Sequence, residues 1–247
     1  KVVAVQGVEA TEEEAESFGT TAKNLLAIAV PITALGAAGA AISTLICLIL
    51  GYPMAYAMSK LSHRGQTIAM MLVMIPMWMN FLLRIYAWII LLQDNGPVDQ
   101  VMSFFGIHGK YINNTGAVIV GMVYEYLPFM VLPIYTVMSK IDGNLIEAAQ
   151  DLGSNKAAVF RKVIFPLSIP GIISGITMVF VPSISTFYIS QKLGGGTFEL
   201  IGDTIERQFV TGALNVGAAI SLVMMILILI SLAIMNKFSD NEEEIIV

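Results

Sequence analysis

Charge is scarce in this chain. Only 13% of its 247 residues are charged and 56% are hydrophobic, whereas a soluble domain of ordinary composition carries about a quarter charged residues. A water-facing surface needs charge and a lipid-facing one must avoid it, so composition excludes an ordinary soluble domain. Cysteine is almost absent. Cys47 stands alone in an apolar run, which excludes an internal disulfide and leaves a packed thiol. The two histidines, His63 and His108, lie in loops on opposite sides, so the sequence offers no Cys/His metal cluster and no catalytic constellation. Gly194, Gly195 and Gly196 lack the Lys-Ser/Thr ending of a phosphate-binding loop. No basic patch interleaved with aromatics points to nucleic acid. The first apolar run follows acidic residues, where a cleavable leader has basic ones.

What the chain has is long apolar segments. About 20 helical residues cross a bilayer core about 30 Å thick. Four segments meet that standard: 67–92, 116–138, 163–182 and 212–235. A fifth lies within 25–59 and contains Pro31, Gly36 and Gly39. We read its first part, 25–35, as an interfacial or broken lead-in and the span proper as 37–58. Segments this long and uniformly apolar suit helices rather than barrel strands. The expected fold is an all-α, polytopic membrane bundle with five clear spans. It forms one membrane domain over 37–236, between a tail with lead-in at 1–36 and a tail at 237–247. The acidic runs Glu12-Glu13-Glu14 with Glu16, and Glu242-Glu243-Glu244, read as solvated ends.

Orientation follows from Lys and Arg in the loops. Lys60 and Arg64 mark 59–66, and Lys140, Lys156, Arg161 and Lys162 mark 139–162. The intervening loops hold only Lys110 in one and Lys192 and Arg207 in the other. This places 59–66, 139–162 and the end carrying Lys237 in the cytoplasm, with 1–24 outside. A sixth helix upstream, starting inside, would regularise that arrangement.

An ionisable residue inside a span is costly and is a functional candidate for that reason. Arg84 and Glu125 qualify, at depths of about 12 and 13 Å from the outer ends of consecutive, antiparallel spans at 1.5 Å per residue. Two readings stand: a buried pair that fixes helix register, or groups lining a water-filled path. Trp78 falls near mid-span, and Tyr86, Trp88, Tyr124 and Tyr126 gather on the same two spans, where Trp88 and Tyr124 also suit an interfacial belt. Tyr188, with Ser190 and Gln191, is expected near the outer end of the 163–182 span. Glu199, Asp203 and Glu206 share a face at helical period, either a solvated face or one that greets a cation or a binding protein. Pro128, Pro133, Pro170 and Pro182 are expected to interrupt their spans.

The longest basic loop carries the most specific pattern. Leu145 to Leu152 reads as a short helix of good formers stopped by Gly153, after which Ser154 can cap a second helix with Ala157, Ala158, Val159 and Phe160. Ala148 and Ala149 allow a partner to approach closely. Glu147, Ala148 and Ala149 are followed after three residues by Gly153, and then by Val163, Phe165 and Pro166. This spacing resembles the EAA loop of ABC importer permeases, with Val163 where isoleucine is usual and Phe165 where leucine is usual. The resemblance implies a bundle of the type I importer permease kind in a bacterial inner membrane. It also implies that the loop docks on a separate ATPase dimer, which carries the ATP and Mg while this chain binds no cofactor. A second permease subunit and an external substrate-binding protein complete the implied assembly.

The stretches Leu50-Gly51-Tyr52-Pro53-Met54-Ala55-Tyr56, Asn80-Phe81-Leu82-Leu83-Arg84-Ile85-Tyr86 and Leu127-Pro128-Phe129-Met130 resemble the B-type permease subunits of spermidine/putrescine importers. Phe187-Tyr188-Ile189-Ser190 and Leu200-Ile201-Gly202 agree with them. A polyamine is a linear polycation, so its path needs carboxylates and aromatic faces. Glu125, Arg84, Trp78, Tyr188 and Asp203 are the candidates. The alternatives are the same role with another organic cation, iron or an anion as cargo, and, more remotely, a channel, a secondary carrier or a membrane-embedded enzyme. Glu125 opposes an anion. A carrier has no use for a docking loop, and an enzyme needs more convergent intramembrane groups than these two.

Overall fold

A computed structural model describes residues 12–196 and 199–246, with side chains for 36–196, 199–233 and Lys237. Among the described residues all regular structure is helical. The first helix, α1 (Glu12–Ser59), runs unbroken through Pro31, Gly36 and Gly39, so the lead-in at 25–35 is not broken as expected. Proline costs one rung of the ladder, which membrane helices tolerate where neighbouring groups satisfy the freed carbonyl. Gly36 lies against the start of α10, where a Cβ would make ordinary contact with Leu200 at 3.5 Å. The apolar span within α1, Gly36–Ser59, coincides with the expected one.

The second expected span is not a straight helix. It is divided between α2 (His63–Trp78) and α3 (Phe81–Leu92), followed by α4 (Pro97–Phe104), and the two parts meet at 91°. Pro76 sits in the last turn of α2, and Met79 and Asn80 are extended. The Asn80 side chain accepts from the Leu82 N–H at 2.8 Å, which starts a new helix in a new direction. Further along lie α5 (Thr115–Met138), α6 (Gly143–Asp151), α7 (Lys156–Val159), a π-helical turn (Phe160–Ile164), α8 (Phe165–Ser185), α9 (Tyr188–Gly194), α10 (Ile201–Val210) and α11 (Leu214–Ile246). Among the described residues, four helices are long and apolar enough to cross a membrane, and the bent pair makes up to five. The sixth helix expected upstream lies outside the described residues.

The core centres on α5, which packs along both α1 and α8. Met122, Met130, Val131, Ile134 and Val179 are fully buried there, with Cys47. Met130 fills the gap between the three helices because two glycines face it. A Cβ on Gly51 would stand 3.0 Å from Met130, and one on Gly175 would stand 2.7 Å from it. Pro128 and Pro133 in α5, and Pro170 and Pro182 in α8, leave these helices continuous, so the expected interruptions do not occur. The break falls at Pro76 instead, where a capping asparagine follows.

The bundle has two distinct ends. At one, α1 and α5 finish and α8 begins: Tyr52 of α1 reaches Ser168 of α8 at 3.1 Å, and Tyr135 of α5 donates to Gln66 of α2 at 3.2 Å. The basic loops and α6 and α7 belong to this docking end. At the far end the Asn113 N–H, just before α5, donates to Leu193 O of α9 at 2.9 Å, and Gly36 meets α10. The outer surface of the bundle is apolar. No residue of α2 is buried, and little of the Leu214–Ala233 span of α11 is fully buried. Apolar surface of this extent requires lipid or another membrane subunit to cover it.

Candidate functional site

The docking arm is a helix–turn–helix. Asp142 caps α6, its side chain accepting from the Asn144 N–H at 3.0 Å. Gly153 follows the helix with φ +81°, a conformation in which a side chain is strained. Its N–H donates to Gln150 O at 2.8 Å and the Ser154 N–H donates to Ala149 O at 3.1 Å, the paired bonds of a glycine-terminated helix. The cap of the next helix is Asn155, not Ser154 as expected: its side chain accepts from the Ala158 N–H at 2.8 Å. An asparagine one residue later closes the ring to the third N–H, where Ser154 is already committed to the turn.

Among the described residues nothing covers the arm. No residue of α6 is buried, Glu147 and Ala148 face outward, and Leu152 is 87% exposed. The arm is nevertheless rigidly joined to the membrane part. From Lys156 to Ser185 the chain is continuously helical, passing through the π turn that contains Val163. Pro166 follows that turn at the start of α8. A proline inside a helix leaves a carbonyl without its donor and crowds the preceding turn, and the wider π turn gives it room. Phe160 stacks edge-on against Tyr52 at 5.9 Å and Tyr56 at 5.4 Å, and Phe165 lies 5.9 Å from Tyr52. These aromatic contacts tie the arm to α1. Sequence reading missed them, although Tyr52 and Tyr56 stand one helical turn apart and share a face.

The second feature is the intramembrane pair. Arg84 lies in the first turn of α3, just past the bend, and its Nη2 donates to Glu125 Oε1 of α5 at 2.5 Å. The residues are 7% and 6% exposed. Each keeps one unused polar atom: Arg84 Nε and Glu125 Oε2 are buried without partners. A carboxylate oxygen held away from water without a donor is poised for one. The expected meeting of the two residues therefore occurs.

Beside Glu125 on α5, Tyr126 lines a groove of about 390 Å³ with Phe81, Leu82, Pro182, Thr186, Phe187 and Tyr188. Tyr188 is the first residue of α9, not part of the preceding span, because Thr186 is extended and ends α8. It stacks on Phe81 at 5.9 Å, and Lys192 Nζ stands 5.5 Å from its ring. Trp88 and Tyr124 stack on each other at 5.4 Å. Trp78 does not join this group. It ends α2 at the bend and is 85% exposed, where the straight span had placed it in mid-membrane.

Asp203 is also separate, at the far end. It lines a hollow with Glu199 and Glu206, but it is not on an open face. It is 7% exposed, and its Oδ2 accepts from the Leu200 N–H at 2.7 Å, so it caps α10. Burial pushes its carboxyl above the usual carboxylate range, helped by Glu199 and Glu206 and opposed by the Leu200 N–H and the nearby Ser190 hydroxyl. The five path candidates thus fall at four places: Arg84 with Glu125, Tyr188 in the groove beside them, and Trp78 and Asp203 each apart.

Comparison with known proteins agrees with this architecture. The family model for "Binding-protein-dependent transport system inner membrane component" matches residues 47–241. The spermidine/putrescine transport system permease protein PotB of Escherichia coli (strain K12) is 42% identical over 173 residues, covering 69% of this chain and 63% of that protein. The chain thus spans less than two thirds of that relative's length. PotB of Haemophilus influenzae is 37% identical over 211 residues, covering 83% of this chain and 74% of the relative. Among solved structures, the bacterial alginate ABC transporter in complex with its pentasaccharide-bound periplasmic protein superposes with TM-score 0.66 at 16% identity, over 81% of this chain and 76% of that one. The inward-facing MetNI methionine ABC transporter does so with TM-score 0.60 at 18% identity, over 86% and 95%. These two share the fold. The matched family model, the relatives and the multi-span helical bundle lead to one statement: the chain belongs to the family of binding-protein-dependent transport system inner membrane components, the multi-pass permeases of ABC importers.

Proposed function

We propose that this chain is a non-catalytic permease subunit of an ATP-driven importer of polyamines. The observation that carries the reading is the uncovered α6–Gly153–α7 arm, which bears the EAA spacing and runs without interruption into α8. An exposed leucine at its tip, a left-handed glycine turn and a rigid helical connection suit a lever that a partner grips. In the proposal that partner is a cytoplasmic ATPase dimer, which holds the ATP and Mg. Its closure on ATP pulls the arm, and the pull reaches α1 through Phe160 and α5 through α8. The arm and the C-terminal end then face the cytoplasm. A substrate-binding protein delivers cargo at the far end, and a second permease subunit covers part of the exposed apolar face. ATP hydrolysis belongs wholly to the ATPase subunits.

The solved neighbours named above are an alginate transporter and a methionine transporter, so the shared fold leaves the cargo open. The cargo reading rests on the relatives named for spermidine and putrescine and on the chemistry of the path. Glu125, through its unused Oε2, accepts an ammonium group, and Tyr188 offers an aromatic face beside it. Arg84 holds Glu125 in place and keeps that carboxylate occupied when no cargo is present. Trp78 is assigned to the side facing the second permease subunit.

The test is ATP-dependent uptake of spermidine and putrescine into proteoliposomes holding this chain with its co-purifying subunits. Wild type is expected to accumulate both. Gly153→Asp is expected to abolish uptake while the complex remains inserted, and Glu125→Gln to weaken it about tenfold through loss of one charged contact. ATP-coupled uptake of a different solute, with no polyamine moved, would overturn the cargo and keep the permease role. A purified chain with no ATPase subunit bound, and wild-type behaviour of Gly153→Asp, would overturn the role itself.

A further inference from the structure

The root of the arm poses a mechanical problem. Between α7 and α8 stands the π turn, Phe160–Ile164, closed by the Phe165 N–H donating to Phe160 O, five residues back. Helices kink at such turns, so an unsupported one would let the arm swing without moving α8. Pro166, at the exit of the turn, has no N–H to add a further rung.

A single residue of α1 spans the turn. The Tyr52 ring meets Phe160, at the start of the turn, edge-on at 5.9 Å, and Phe165, just past its end, at 5.9 Å. The Tyr52 hydroxyl lies 3.1 Å from Ser168 Oγ, which is fully buried. Ser168 gives its one proton to Phe165 O at 2.7 Å, so Tyr52 is the donor in the bond between the hydroxyls. Ring and hydroxyl together hold both ends of the turn, and Tyr56 adds a second ring on Phe160 at 5.4 Å. Next to Tyr52, Gly51 lies so close to α5 that a Cβ would stand 3.0 Å from Met130. A displacement of Tyr52 is therefore handed on to α5. A ring that only filled space would have no need of the hydroxyl.

We propose that Tyr52, together with Ser168, is a positioning residue that staples the π turn, so that displacement of the arm moves α1 and α5 instead of being absorbed in the turn. The proposal rests on the import reading for the force on the arm. Its consequence is uncoupling. Without the staple the ATPase subunits still hydrolyse ATP, but their closure no longer reaches the spans. A packing role has a different outcome, because a loosened bundle loses hydrolysis and uptake together.

The experiment measures ATP hydrolysis and spermidine uptake side by side in proteoliposomes of the assembled transporter with its substrate-binding protein. Tyr52→Leu removes ring and hydroxyl, Tyr52→Phe only the hydroxyl, and Ser168→Ala its acceptor. Phe104→Leu, an exposed ring on α4, is the control. Tyr52→Leu is expected to lower uptake about tenfold while hydrolysis stays within about twofold of wild type. Tyr52→Phe and Ser168→Ala are expected to lower uptake about two- to threefold each, the effect of one hydrogen bond. Because they share that bond, the double variant is expected to be no worse than either single. Phe104→Leu is expected to match wild type. An unchanged ratio of ATP hydrolysed to spermidine moved in Tyr52→Leu overturns the staple. Should Tyr52→Leu fail to assemble, the same ratio in Tyr52→Phe and Ser168→Ala decides.

If Gly153→Asp blocks uptake and the Tyr52 variants keep the wild-type ratio, the import reading stands and the staple falls. If Gly153→Asp behaves as wild type, the import reading fails, and amide hydrogen exchange of the purified complex decides the staple. Exchange about tenfold faster in Tyr52→Leu over 156–168, with 115–138 unchanged, keeps it. Equal exchange in wild type and variant overturns it.

Discussion

Two residues show how a single position joins stability to function. Asp203 is held above the usual carboxylate range mainly by burial. The folded chain therefore binds that proton more tightly than the unfolded chain does. By linkage, the contribution of Asp203 to stability is full below the ordinary carboxylate pKa and is lost as pH rises through its raised value. The groups facing it from α9 and α10 are Ser190, Glu199, Glu206 and Arg207, and the two glutamates act in the same direction as burial. At neutral pH the charge is thus a net cost, and Asp203→Asn, which keeps the cap, is expected to raise the melting temperature of the complex by about 2–4 °C. Near pH 4 the gain is expected to vanish. A melting curve that falls at pH 7 shows the charge to be structural. At Gly153 the direction is opposite. Because a Cβ there meets nothing within 4 Å, the cost of a side chain is conformational, about 1–2 kcal/mol for the left-handed backbone. Gly153→Ala should therefore lower ATP-coupled uptake severalfold with little loss of inserted protein, as immunoblotting of membranes and uptake assay together would reveal.

At the scale of elements, one buried ion pair fixes the corner of the bent α2–α3 segment, beside the Trp88–Tyr124 and Tyr135–Gln66 contacts with α5. Arg84 and Glu125 tether the first turn of α3 to α5, and few other contacts join those helices. Removing one partner strands a buried charge, at a cost of about 3–5 kcal/mol. Replacing both with similar apolar volume removes that penalty. Arg84→Met alone is expected to reduce thermal stability strongly, and the Arg84→Met, Glu125→Met double variant to recover most of it without recovering polyamine uptake. Full recovery of both in the double variant, measured by melting and uptake, would assign the pair to helix register alone. How much of this was readable beforehand follows from the physics of each element. Arg84 and Glu125 were found because charge inside an apolar run is conspicuous. The EAA arm was found because glycine and helix formers mark a turn between two helices. The bend at Met79 and Asn80 was missed because apolar periodicity carries across it, and the signal lay in Pro76 followed four residues later by a capping asparagine. The prolines that were noticed, at 128, 133, 170 and 182, leave α5 and α8 continuous, since both helices are packed along the core. Asp203 was placed on the right face but not at the right depth, because depth there depends on α9 folding over α10.

At the scale of the whole molecule, the distribution of charge and exposure sets direction. Lys60, Arg64, Lys140, Lys156, Arg161 and Lys162 gather with the arm at the docking end, while the hollow with its three carboxylates lies at the far end. A bilayer retains basic loops on the cytoplasmic side, and the proposed function puts the arm on that side, within reach of an ATPase. Cys47 is buried and its thiol lies 3.7 Å from Val123 O, so a membrane-impermeant maleimide should leave wild type unlabelled. Against that silent background a cysteine at each end reads the orientation. Leu152→Cys, at the exposed tip of the arm, is expected to label only in inverted membrane vesicles. His108→Cys, in the exposed loop before α5, is expected to label only in intact spheroplasts. Labelling in the opposite sense would put the arm outside, where no ATP is available to drive it, and would remove the mechanical route from ATPase to path even if both proteins co-purify. Labelling of both from one side would mean that α5, the one long apolar helix between His108 and Leu152, does not cross the membrane, and the pull proposed to run from the arm through the bundle would have no transmembrane route along it.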